Sequence, residues 1–282
     1  MYKSILVPLD KSHFAEHALP LAASVARHSG AVIRLLHVLP PLSDRYFMAP
    51  MPGSDVDKQL HDEFRKESLA YLESAAARLP GLSVHCDLLD EHIDIPEAIA
   101  TEVAKTGVDL IVMASHGRGA LQRLWLGSIA DEVYRASTAP VLLARPKDER
   151  ASAEGEWQIR EIVAPLDGSD GAEEALEPVM NLGQAMQAQI QLVRVIPEAQ
   201  ASATAYLEGV AARLSARGAH VRTQLLVSSD PAEAIAAAAA QADLIAMRTH
   251  ARGGVARLIR GSVVDKIVQA STVPILITRP RQ

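Results

Sequence analysis

A chain of 282 residues is long enough for two domains of ordinary size, each burying its own core. Apolar residues make up 49% and aromatic residues 4%, which suits α/β cores of Val, Ile, Leu and Ala rather than an aromatic-rich binding face. The net charge of −6 argues against nucleic acid as a partner, and one cysteine, Cys86, excludes an internal disulfide framework and a cysteine-built metal cage.

In chain order, short runs rich in β-branched residues predict strands over Ser4–Leu9, Ala31–Val38, Ser83–Leu89, Leu110–Ala114 and Val141–Ala144. Between them, helical spacing predicts Ala15–Ser29, Val56–Arg78, Pro96–Lys105 and Ser128–Ala136, with Pro96 at a first helical position and Gly30, Gly81 and Gly107 as stops. Pro41, Pro50, Pro52 and Gly53 mark a long loop after the second strand. The start, Ile5-Leu6-Val7 followed by Pro8, is too short for a signal-peptide core, and no apolar run approaches the roughly 20 residues of a membrane helix. A cytoplasmic protein without a membrane segment is the expectation, and a free thiol agrees with it.

The second half repeats the first. Ile5-Leu6-Val7-Pro8-Leu9-Asp10-Lys11-Ser12 returns as Ile162-Val163-Ala164-Pro165-Leu166-Asp167-Gly168-Ser169, at an offset of 157. Asp109–Pro146 aligns without a gap to Asp243–Pro280 at an offset of 134, with half of the 38 positions identical. The division expected is a first domain over 1–146, a linker over 147–157 whose charged stretch Lys147 to Glu156 reads as exposed, and a second domain over 158–282. Strand–helix alternation predicts, in each copy, a five-stranded parallel sheet with helices on both faces and a ligand site at the strand carboxyl ends.

The fourth strand runs through Met113 and Ala114 into Ser115-His116-Gly117-Arg118-Gly119, and nine residues separate Gly117 from Gly127-Ser128, where a helix opens. A glycine lets backbone approach a phosphate closely, and the free N–H groups of a helix start favour an anion. Arg118 and Arg123 add positive charge, and Ser128 can cap the helix and donate its hydroxyl. The same residues also read as a plain turn and cap, and from one copy the two readings weigh equally. The spacing is neither a Walker A loop nor a dinucleotide fingerprint.

With this loop, the strand-one Val-Pro-Leu-Asp-x-Ser, the strand-two Leu-His-Val and the terminal Ala-Pro-Val-Leu-Leu, the chain resembles a tandem universal stress protein over essentially both halves. Nucleotide-binding members of that family carry Gly-x2-Gly-x9-Gly-Ser/Thr after strand four. The resemblance implies strand order 3-2-1-4-5 and a regulatory, non-enzymatic protein that binds ATP or another adenine nucleotide, with or without Mg. It further implies copies paired through the last strands, Val141–Ala144 and Ile275–Thr278, and is compatible with a homodimer. By position, Leu9, Asp10 and Val38 would meet base and ribose, while Met113, Ala114, Gly117, Arg118, Gly127, Ser128 and Ile129 would line ribose and phosphates. The motif's first glycine is Ala114 here.

Copy two departs further. Its loop reads Met247-Arg248-Thr249-His250-Ala251, with Gly261-Ser262 downstream, so both upstream glycines are replaced. Asp167, Val195, Arg248, Gly261 and Ser262 are weaker candidates, and stronger binding in copy one is expected. Arg248 can fill the pocket or meet an anion, but a decayed site kept only for structure is the preferred reading.

Other patterns carry less. His13-Phe14-Ala15-Glu16-His17 matches a zinc-peptidase spacing, but copy two has Gly-Ala-Glu-Glu there, and a plain helix start is the preferred reading. His116 and His250 recur without a partnered nucleophile and read as loop braces, and Cys86 reads as a small core residue. Two alternatives to a nucleotide switch stay open: a protein-binding scaffold with empty pockets, and a slow ATPase or adenylating enzyme of related fold.

Overall fold

A computed structural model describes residues 1–39, 51, 53–90, 94–115, 128–145, 157–198, 200–248 and 263–279. The first copy contributes β1 (Ser4–Pro8), α1 (Ala18–Ser29), β2 (Val32–Leu39), α2 (Asp55–Ala77), β3 (Val84–Asp90), α3 (Ile95–Thr106), β4 (Leu110–Ala114), α4 (Ser128–Ala136) and β5 (Val141–Ala144). The second contributes β6 (Glu161–Pro165), a short α5 (Asp170–Glu173), α6 (Leu176–Met186), β7 (Gln189–Ile196), α7 (Ala201–Ser215), β8 (His220–Val227), α8 (Pro231–Ala239), β9 (Leu244–Arg248), α9 (Val263–Ala270) and β10 (Ile275–Thr278).

Local chemistry sets these ends. Ser54 caps α2 by accepting from the Asp57 N–H at 3.2 Å, and Asp57 in return accepts from the Gly53 N–H at 2.7 Å, which satisfies two donors at the helix start. Gly30 closes α1 in the left-handed region at φ 74°, where a Cβ would crowd the backbone. The expected helix from Ala15 begins instead as a 3-10 turn over Ala15–His17, and regular α-helix starts at Ala18.

All ten strands form one sheet, in the order β3-β2-β1-β4-β5-β10-β9-β6-β7-β8. Each half has the 3-2-1-4-5 order and is parallel throughout, but the two halves are not separate layers. β5 and β10 pair antiparallel, with Leu142 opposite Leu276. Successive residues point to opposite faces: Ile5 and Val7 enter the core on one side of the sheet, Leu6 the core on the other. The first core is roofed by α1, α2, α6 and α7, the second by α3, α4, α8 and α9, and each runs through both copies. Burial on both faces explains the near-continuous apolar runs of the strands.

Related polar contacts hold both sides of the seam. Arg145 donates to the Val268 carbonyl in the last turns of α9, and Arg279, its counterpart, donates to the Arg135 and Ser137 carbonyls at the end of α4. Cations at helix carboxyl ends also meet the favourable end of the helix dipole. Arg145 is buried, and burial pushes its guanidinium down to about 10. On the opposite face α1 packs against α6, and the buried Tyr2 hydroxyl donates to the Pro178 carbonyl at 3.0 Å. Trp157, the last residue of the expected linker and just beyond its exposed stretch, is buried, and its carbonyl accepts from the Ser24 hydroxyl. A large indole at the edge of the core removes more apolar surface from water than a solvated linker residue would.

Candidate functional site

In each half the chain leaves the first strand toward one side of the sheet and later fills the other, so the order reverses between β1 and β4 and again between β6 and β9. Crevices at the carboxyl ends of such strand pairs are where open α/β sheets bind ligands. Asp109 aligns the first pair: its carboxylate accepts from the Lys3 and Ser4 N–H groups at 2.8 and 3.1 Å, as Asp243 does for Arg160 and Glu161.

Copy one's crevice begins with Leu9-Asp10-Lys11-Ser12. Asp10 Oδ1 accepts from the Ser12 N–H at 2.9 Å and from its hydroxyl at 2.5 Å, and Ser12 Oγ accepts from the Ala15 N–H at 3.1 Å. This Asx-turn relay joins strand end to helix start and leaves Asp10 exposed. Lys11 pivots at φ 67°, an unusual conformation for a residue with a Cβ. Leu9 is buried, its N–H donating to the Leu36 carbonyl at 2.8 Å and its carbonyl accepting from buried His37 Nδ1 at 2.6 Å. A carbonyl cannot donate, so His37 carries its proton on Nδ1 in this contact. Leu9 therefore has one carbonyl lone pair left for a ligand.

Val38 and Met113 are nearly buried at the ends of β2 and β4, and Ala114 is half-buried beside them. Ser115 follows directly. Its N–H donates to the Ala144 carbonyl at 2.9 Å, while its fully buried hydroxyl finds no partner among the described residues. Such an unsatisfied hydroxyl costs about 1–3 kcal/mol. Ile129 stands in the first turn of α4 and is 37% exposed. Gly117, Arg118 and Gly127, with His116 and Arg123, lie outside the described residues. Ser128 is the first residue of α4.

Copy two repeats the turn and changes its surroundings. Asp167 Oδ1 accepts from the Ser169 N–H at 2.9 Å and hydroxyl at 2.6 Å, and Ser169 Oγ accepts from the Ala172 N–H at 3.2 Å. Gly168 takes the Lys11 position at φ 89°. Arg194 takes the His37 position, and its guanidinium lies 5.0 Å from the centre of the Tyr206 ring and against Gly168. Val195 is partly buried. Arg248, in the Ala114 position, reaches from β9 to α5: its side chain is 10% exposed, and Nη2 lies 3.3 Å from Glu174 Oε2. Gly261 and Ser262, with His250, lie outside the described residues.

Behind each turn stands a matching brace. Arg78 donates to Glu16 at 2.8 Å, and Arg213 donates to Glu173. The Arg78 hydrogen bond holds the Glu16 carboxyl below its ordinary range against an opposing burial effect, with Tyr71 assisting. Burial, then the neighbouring carboxylate, raises the Tyr71 and Tyr206 phenols. The Glu16 of the zinc-like pattern is thus committed to an arginine, while His13 and His17 meet edge to face at 5.3 Å. No group of three or more metal-ligating side chains occurs among the described residues.

Spacing arguments overlooked His37, Ser115, Arg194 and Glu174. The internal repeat held part of the signal, since His37 and Ala114 both become arginine in copy two.

A model of the universal stress protein family matches residues 1–145 and again 158–279. A universal stress protein of Mycolicibacterium smegmatis is 25% identical over 297 residues, covering 98% of this chain and 97% of the relative. A shorter one from Methanocaldococcus jannaschii is 28% identical, covering 52% of this chain and 98% of its own. The solved structure of an Archaeoglobus fulgidus universal stress protein superposes with a TM-score of 0.70 at 19% identity, covering 98% of both chains, a likeness of fold. No helix among the described residues is long and apolar enough to cross a membrane. With two family matches joined by one continuous sheet, the chain belongs to the universal stress protein family as a tandem of two such domains.

Proposed function

We propose that copy one binds an adenine nucleotide, ATP foremost, and that the chain acts as a regulatory protein whose nucleotide-bound state is what its partners read. The observation that carries this is the contrast at the two switch points. Both copies keep the aspartate turn, but copy one has His37 in β2, a small Ala114 at the end of β4 and a buried Ser115 hydroxyl without a partner among the described residues, whereas copy two sets Arg194 and Arg248 at the positions of His37 and Ala114. Asp10 Oδ2, free of hydrogen bonds among the described residues, suits ribose hydroxyls. Ser115 and the start of α4 suit phosphate oxygens, which backbone N–H groups and a helix amino end favour. Val38 supplies apolar surface beside the base, Leu9 a backbone carbonyl, and Met113, Ala114, Gly117, Arg118, Gly127, Ser128 and Ile129 complete the ribose and phosphate side.

Asp10 is the one carboxylate among these contacts, so Mg²⁺ would be held mainly by the phosphates, and hydrolysis would be slow for want of a placed base. The domain division at 147–157, a reducing cytoplasmic setting and further homodimerisation belong to the same reading. Mass spectrometry of ligand released from natively purified protein, followed by calorimetric titration with ATP, tests it. An adenine nucleotide near one per chain is expected, with affinity lowered at least tenfold by Asp10→Ala. Protein that carries no nucleotide and takes up none fits the scaffold reading instead, and rapid turnover of ATP fits an enzyme.

A further inference from the structure

The two crevices differ by a reciprocal exchange of bulk. Gly171 and Arg248, which meet in copy two, align with Phe14 and Ala114 in copy one. In copy two the guanidinium fills the space beside Gly171: a Cβ built there would stand 2.1 Å from Arg248 Nη1, so the flexible end of this arginine would have to move for a larger residue. One end of the guanidinium is tied to Glu174, 3.3 Å away, and Arg248 Nε has no partner among the described residues. Shape and one ion pair, rather than a full set of hydrogen bonds, seat this side chain across the gap between β9 and the turn after β6. Arg194 adds a second guanidinium at the same end of the sheet, stacked on Tyr206 and pressed against Gly168.

From this we infer that Arg248 is an internal plug: it occupies the second switch-point crevice in place of a nucleotide and fixes the capacity of the chain at one. The inference rests on the nucleotide reading of copy one and adds that the loss in copy two is steric and reversible, not merely a decay of the glycine loop.

Four full-length proteins decide it: the wild type, Arg248→Ala, Ala251→Gly and the double variant, which restores the Ala-x2-Gly-x9-Gly-Ser spacing of copy one. Each is checked by circular dichroism and titrated with ATP. One site is expected in the wild type and in Ala251→Gly, with a second site in both proteins that lack Arg248, at least tenfold tighter in the double variant. A second site in either protein that keeps Arg248 overturns the plug, as does its absence from both that lack it. Were the wild type to bind none, copy one would have been misread, yet one site appearing on removal of Arg248 would still support the plug. If the double variant did not fold, Arg248→Ala alone would carry the test.

Discussion

Gly168→Ala is a sharp test of how the second crevice is packed. The substitution acts twice. At φ 89° the new methyl group meets its own backbone, a penalty of about 1–2 kcal/mol for an L-residue on the left-handed side. It would also stand 2.8 Å from Arg194 Nη2, so the guanidinium must shift from its seat 5.0 Å over the Tyr206 ring. A displaced cation–π contact of this kind is worth about 0.5–1 kcal/mol. Against these, alanine narrows the unfolded ensemble and returns about 0.4–1 kcal/mol. The net destabilisation expected is about 1–2 kcal/mol. Urea unfolding should show it as a midpoint lower by roughly 0.5–1 M at a slope typical of small domains. Repeating the substitution in an Arg194→Ala background separates the terms, because the backbone penalty stays while the collision disappears. The cost should then fall by about 0.5–1 kcal/mol. Equal costs in both backgrounds would refute the packing of Arg194 on Gly168, and a cost near zero in the wild-type background would refute the backbone argument too.

Other outcomes follow from the same geometry. Since Arg78 holds the Glu16 pKa below 4.5, this carboxylate stabilises the fold above that pH, and the contribution is lost as pH falls through the lowered value. In acid titrations followed by circular dichroism, Glu16→Gln should be less stable than the wild type near neutrality and converge with it as pH falls through the lowered Glu16 value; a constant gap would contradict the ion pair. His37→Phe removes the Nδ1–H that meets the Leu9 carbonyl, and should cost about 1–3 kcal/mol in thermal unfolding while weakening ATP binding severalfold. Unchanged stability would mean that the turn after β1 does not depend on this bond. Burial raises the Cys86 thiol, so a thiol-specific dye should label it slowly in the native protein and quickly in urea; fast native labelling would speak against its place in the sheet.

Much of the fold was legible in the chain because its signals are local. Period-two and period-3.6 patterns come from backbone geometry, and the strands predicted at Leu110–Ala114 and Val141–Ala144 match the observed bounds. The duplication needed only self-comparison, and its unequal loops already set the copies apart. The start of the first helix was less legible, because Ala15–His17 takes a tighter turn under the Ser12 hydroxyl, a contact invisible to periodicity. At the site, it was the family resemblance that pointed to Leu9, Asp10, Val38, Met113 and Ala114, and the sheet places all five at the ends of β1, β2 and β4.

Other features depend on partners far apart in the chain, and here tertiary structure alone decided. The resemblance already implied pairing through the last strands, but its antiparallel direction and its register, Leu142 opposite Leu276, came only with the fold, where each half leaves an apolar edge strand whose unpaired N–H and C=O groups the other can satisfy. Sequence made Arg248 a substitution for Ala114 and favoured a decayed site over pocket filling or anion binding. Only the position of Gly171 opposite it and of Glu174 beside it shows a guanidinium seated across the crevice. A side chain's identity is written locally, but the space it fills is shaped by residues brought to it through folding.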